Sequence, residues 1–93
     1  MEIGQAIKQL RKSKNIQQAQ LAELIGISKN AMCMIEIGET FPSKTTISLI
    51  CSRLKVPQSY LLFLSLTADD IPEDKRQTFI YLTDAIKNLL LNG

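Results

Sequence analysis

Ninety-three residues, 45% of them apolar and 22% charged, are enough for one compact core and too few for two, which excludes both a multidomain and a disordered reading. A formal net charge of +2 is no signal by itself, but residues 1–56 carry eight Lys/Arg against four Asp/Glu while residues 57–93 carry three against five, so attraction for phosphate is concentrated in the first part. With no histidine and two cysteines, Cys33 and Cys51, outside any CxxC spacing, neither a metal site nor a disulfide scaffold is expected and both thiols are read as reduced.

The opening Met1-Glu2-Ile3-Gly4 lacks the basic and apolar regions of a signal peptide. Apolar runs such as Leu61 to Leu64 fall far short of the ~20 residues that span a bilayer. A cytoplasmic protein without a membrane partner is the expectation.

Along the chain, Ile3, Ala6, Ile7 and Leu10 recur at i, i+3, i+4 and i+7, predicting an amphipathic helix over 3–13 with a basic end at Lys12 and Lys14. A second short helix runs from Gln17 to Ile25, with Leu21, Ala22 and Ile25 inward, and Gly26 stops it. Ser28 is placed to cap a third helix from Lys29 to Ile37, closed by Gly38. Phe41-Pro42 imposes an extended link, after which Ser43 caps a fourth helix carrying Ile47, Ile50, Cys51 and Leu54 inward. Pro57 fits the first turn of a fifth, whose segment Tyr60 to Leu66 is apolar on nearly all sides and is expected to be buried. Residues 67–74 form a polar, acidic connection. A sixth helix over 72–91 repeats Phe79, Leu82, Ile86 and Leu89 at intervals of 3, 4 and 3, as a short heptad seam does.

The second and third helices form the informative unit. Leu21, Ala22, Ile25, Gly26, Ile27, Met32 and Ile35 put small and apolar residues where two short helices cross, with glycine at the bend. Anchored in this way, the third helix has its beginning free to enter a major groove about 12 Å wide. Lys29 suits guanine O6/N7, Asn30 suits adenine N6/N7, and Ser28 can meet a phosphate as well as cap the helix.

The stretch Gln18-Ala19-Gln20-Leu21-Ala22-Glu23-Leu24-Ile25-Gly26-Ile27-Ser28-Lys29-Asn30-Ala31-Met32-Cys33-Met34-Ile35-Glu36-Ile37-Gly38 resembles the helix-turn-helix of the XRE family of phage-type repressors and bacterial regulators. The resemblance extends from about Ile3 to Leu62, through Pro42 and Leu54-Lys55-Val56, and does not cover the last 25 or so residues well. It implies an all-α fold: a five-helix, lambda repressor-like DNA-binding domain over 1–66, with residues 67–93 added as an acidic connection and a C-terminal helix. It also implies double-stranded DNA as partner, read by a homodimer on a two-fold operator, with repression as the expected effect.

Residue by residue, the resemblance implies that Gln18 contacts the DNA backbone, that Lys29, Asn30, Cys33 and Met34 face the groove, and that Lys44 lies near phosphate. Arg11 and Glu36 match a structural salt bridge. Phe79, Leu82, Ile86 and Leu89 are read as a dimerisation stripe, with packing of that helix back onto its own domain as the alternative. Met34 and Ile37 depart from the family's usual polar or basic residues and, with Phe41, make an apolar strip that suits a thymine methyl or a second protein. The competing reading is therefore a helix-turn-helix-fold interaction module, antitoxin-like or an accessory subunit, with that strip covered by a partner. No histidine, glycine-rich phosphate loop, Ser/Lys or Cys/His arrangement is present, so neither an enzyme, a cofactor nor a small-molecule ligand is expected.

Overall fold

The computed structural model describes residues 1–92; Gly93, the last residue of the expected C-terminal segment, lies outside the described residues. Six helices follow in order: α1 Ile3–Ser13, α2 Gln18–Ile25, α3 Lys29–Glu36, α4 Lys44–Leu54, α5 Gln58–Ser65 and α6 Arg76–Asn92. The fold is all-α, with no strand among the described residues. No helix among them is long and apolar enough to cross a membrane.

Local chemistry sets the ends of these helices. Gln17 stands outside α2 as its cap, its backbone N–H donating to Gln20 Oε1 at 2.8 Å. Gly26, at φ 79°, turns the chain out of α2 in the left-handed conformation and lets Ile27 N–H reach Ala22 O at 3.0 Å. Ser28 Oγ accepts from Ala31 N–H at 3.0 Å and Ser43 Oγ from Thr46 N–H at 3.1 Å, which fixes the starts of α3 and α4. Lys55 closes α4 in the left-handed region at φ 58° without being glycine.

The core is one cluster fed by the first five helices. Ile7, Leu10, Leu21, Met32, Ile50 and Leu61 are all fully buried within it. At an apolar transfer value of roughly 1.5–3 kcal/mol per large aliphatic side chain, each of these six contributes substantially to packing. Gly4 lies against the end of α3, where a Cβ would press on the Ile35 carbonyl oxygen and stand 2.9 Å from that of Glu36. Only glycine allows α1 to approach the last carbonyls of α3 this closely.

The C-terminal part differs from the expectation in two respects. The helix starts at Arg76 rather than near 72: the backbone of Pro72 is extended, at ψ 142°, and residues 68–70 and 73–75 form single 3-10 turns instead. Leu62 is exposed, and Tyr60 and Phe63 are half-buried, so α5 has an open side despite its apolar sequence. As the alternative reading of the sixth helix allows, α6 packs back on α1 and the two 3-10 turns, with Thr83 buried and the half-buried Leu90 and Leu91 against the core. Arg76 Nε donates to the carbonyls of Ala68 and Ile71, and Lys87 Nζ donates to that of Leu66, so polar clamps hold this helix in position.

Candidate nucleic-acid interface

Buried residues of α3 are Met32, Ile35 and Glu36, which leaves the opposite face of the helix outward. Ser28, Lys29 and Asn30 at its beginning are exposed, Cys33 and Met34 are half-buried, and Ile37 just beyond its end is 63% exposed. At about 100° per residue, Asn30 and Ile37 lie near the middle of the outward face, with Cys33 and Met34 flanking them. Polar groups thus occupy the first turn of this face and apolar ones the rest.

The back of α3 is fixed by a charged network. Arg11 Nε donates to Glu36 Oε2 at 2.8 Å and Arg11 Nη2 to Glu36 Oε1 at 3.0 Å, while Arg11 Nη1 donates to Ile16 O at 2.9 Å. Gln18 Nε2 also donates to Glu36 Oε1, at 3.0 Å. Three elements therefore meet on one carboxylate: the end of α1, the start of α2 and the end of α3. Gln18 is half-buried and one hydrogen of its amide nitrogen is turned inward, so the donors it has for a phosphate are the second hydrogen of Nε2 and its backbone N–H at the start of α2. Nothing in the spacing of Gln18 and Glu36 announced this coupling.

Lys44 is exposed at the first position of α4 and borders an open cleft of about 660 Å³ between α4 and α5, lined also by Ile47, Leu49 and Leu62. A second cleft, of about 390 Å³, separates the start of α1 from the turn after α3, and Ile37 and Phe41 stand on its border, the latter 69% exposed. That turn is pinned by Glu39 N–H and Thr40 N–H, both donating to Met34 O. The stripe on α6 is divided: Phe79 is half-buried, whereas Leu82, Ile86 and Leu89 are exposed. A third cleft, about 360 Å³, runs beside it, lined by Phe63, Ile71, Phe79, Leu82 and Ile86.

Cys51 lies in the core, where burial pushes its thiol pKa up, and Cys33 stands half-buried on α3. Among the described residues no group of His, Cys, Asp or Glu is placed to hold a metal ion.

Comparison with known proteins agrees with this geometry. The profile of the HTH_3 family, described as helix-turn-helix, matches residues 7–61. Antitoxin PezA of Streptococcus pneumoniae is 36% identical over 73 residues, which cover 78% of this chain and 40% of that protein. The chain thus matches less than half the length of that relative. No solved structure matches it.

Proposed function

The chain belongs to the XRE-type helix-turn-helix family, and we propose that it is a sequence-specific regulator of transcription that reads the major groove of duplex DNA with the outward face of α3. The observation that carries this reading is the exposure of Ser28, Lys29 and Asn30 together at the start of a helix whose other end is locked to α1 and α2 through Glu36. Lys29 and Asn30 select bases by hydrogen bonds to their edges, with Cys33 and Met34 behind them. Ser28, Gln18 and Lys44 hold the phosphate backbone. Arg11 and Glu36 keep α3 at a fixed angle and touch no DNA.

In this reading residues 1–66 form the DNA-binding unit and residues 67–93 its dimerisation element. Two copies joined through Phe79, Leu82, Ile86 and Leu89 set their α3 helices in successive major grooves roughly 34 Å apart on a two-fold site. Occupancy of a promoter is sufficient to block it, so repression is the proposed effect.

A second reading is favoured by the exposure of Ile37 and Phe41 on one cleft and by the name of the relative, an antitoxin. In it the strip Met34, Ile37 and Phe41 is covered by a protein partner. Gel-shift titration against genomic fragments at two salt concentrations separates the two. Selective binding that weakens steeply with salt supports the regulator, with Lys44→Ala lowering the salt slope by about one and Asn30→Ala relaxing base preference. If every fragment binds like bulk DNA, while Met34→Glu abolishes a protein complex, the interaction module is the correct reading.

A further inference from the structure

We infer that the cleft between α5 and α6 binds an apolar carboxylate, an alkyl or aryl acid whose tail lies among Phe63, Ile71, Phe79 and Leu82 and whose head meets Lys75. The cleft measures about 360 Å³, within the roughly 300–1,000 Å³ of small-molecule sites, and its wall is apolar apart from Lys75 and two threonines, Thr78 and Thr83. Three parts of the chain build it. Phe63 comes from α5, Ile71 from the acidic connection and the rest from α6 and the turn before it, so the cleft exists only because α6 docks. No motif in the sequence announces it.

Charge complementarity names the head group. Residues 57–93 hold three cations, and two of them are engaged by backbone: Arg76 Nε donates to the carbonyls of Ala68 and Ile71, and Lys87 Nζ to that of Leu66. Lys75, on the cleft, forms no salt bridge among the described residues. Its acidic neighbours Glu73 and Asp74 are exposed and stand outside the wall. Lys75, Phe79, Leu82 and Ile86 recur at intervals of 4, 3 and 4, which puts the cation at one end of an apolar row about 16 Å long. Thr78, exposed on the same wall, adds a hydroxyl donor. The larger α4–α5 cleft suits such a ligand less, because Thr45, Ser48 and Gln58 interrupt its apolar lining. Occupancy also bears on assembly. Leu89, the most exposed residue of the α6 stripe, lies outside the cleft wall, whereas Leu82 and Ile86 belong to both. A bound carboxylate therefore competes with a second copy for those two side chains, a consequence that rests on the dimer reading above, whereas binding itself does not.

The experiment titrates decanoate, below its micelle-forming concentration, into the full chain by isothermal calorimetry, with octanoate, decanol and decylamine for comparison. Saturable binding of one decanoate per chain is expected, about fifteenfold weaker for octanoate, which lacks two methylene groups to bury. Decanol and decylamine should bind more weakly than decanoate. Lys75→Ala should weaken decanoate about three- to fivefold, the scale of one exposed ion pair, and leave decanol unchanged. Thr78→Glu, which sets a like charge beside the head, should weaken decanoate further and again spare decanol. Both positions are exposed, so neither change disturbs the core. In sedimentation, decanoate should shift the dimer towards monomer at fixed protein concentration, and should do so less in Lys75→Ala.

Decanol or decylamine binding as tightly as decanoate overturns the inference, and so does decanoate binding that neither Lys75→Ala nor Thr78→Glu moves. Loss of binding in Lys44→Ala instead transfers the site to the α4–α5 cleft and overturns it equally. Binding that depends on Lys75, in a dimer whose mass decanoate leaves unchanged, supports the site and refutes the competition. The same binding in a chain that is monomeric throughout supports the site and overturns the dimer reading alone.

Discussion

Arg11 and Glu36 form a two-bond grip between the end of α1 and the end of α3, with side chains only 8% and 2% exposed. A pair at this depth has lost most of its hydration, and either partner left alone is an uncompensated buried charge. Glu36→Ala or Arg11→Ala should therefore cost about 3–5 kcal/mol in urea unfolding, with a lower midpoint and an unchanged slope. The double variant Arg11→Met with Glu36→Leu should lose less than either single one. Equal losses for the single and double variants would mean that packing, not charge, dominates at this site. Gln18→Ala, which removes one neutral donor to the same carboxylate, should cost about 1.5–3 kcal/mol at most.

Two glycines separate steric from conformational demand. Gly4 sits in α1, where alanine is the better helix former by ~1 kcal/mol, yet its added methyl would meet carbonyl oxygens of Ile35 and Glu36 that belong to backbone and cannot swing aside. Gly4→Ala should still destabilise, by about 3 kcal/mol, at the upper end of overpacking costs. Gly26→Ala meets nothing within 4 Å, and its cost comes only from φ 79°, about 1–2 kcal/mol. Thermal unfolding of the two variants should rank them in that order, and the reverse order would mean that α1 can shift away from α3 without loss.

Helix existence was legible because the first four helices have a strong period of apolar residues and side-chain or glycine signals at their ends: Ser28, Ser43 and Gly26 perform the roles their types suggest. Boundaries moved by a residue where the cap lies outside the helix, as at Gln17 and Pro57. The family followed from the residue order of α2 and α3, and the profile match over 7–61 bears that out. Tertiary couplings were not legible. That Gln18 turns its amide towards Glu36, or that Gly4 touches α3, depends on crossing angles that no local pattern encodes. The facing of α6 was only partly legible for a related reason. Its apolar arc is wider than the surface the rest of the chain offers it, so periodicity identified Phe79, Leu82, Ile86 and Leu89 but not that Thr83, Leu90 and Leu91 would turn inward beside them.

Asp70 links the beginning of the chain to the acidic connection. Its carboxylate accepts from the Met1 amino group at 2.8 Å and from Thr67 N–H at 2.8 Å, and these donors hold its pKa below the ordinary value of 3.8, the amino group being the larger cause. Because the folded value is the lower one, the contribution is fully present above the unfolded pKa and disappears as pH falls through the folded value. Asp70→Asn should therefore lower the urea midpoint modestly at pH 6, with the difference from the unsubstituted protein narrowing below pH ~4. Solvent screening keeps the effect small at this exposed site. A difference that stays constant from pH 6 to 2.5 would mean that the contact does not depend on the charge of Asp70.

The outer stripe of α6 bears on assembly. Leu82 and Leu89 are 51% and 68% exposed and Ile86 lies between them on the cleft edge, so three large aliphatic side chains on one helix face solvent in a single subunit. An isologous pairing of two such helices would cover them at roughly 1.5–3 kcal/mol for each side chain fully buried. The chain should sediment as a dimer at micromolar concentration, and Leu89→Asp, at the more exposed of the two leucines, should convert it to a folded monomer with an unchanged helical spectrum. Ile86→Asp should do the same, although its position on the cleft also touches the docking of α6, so the Leu89 variant is the cleaner test. In the gel shift such a monomer should bind a single half-site normally and lose the advantage of a two-fold one, since linking two sites raises effective concentration without any new contact to DNA. A Leu89→Asp protein with undiminished mass would remove α6 from the interface and assign dimerisation to another exposed face, such as the α4–α5 cleft around Leu62 or the strip at Ile37 and Phe41.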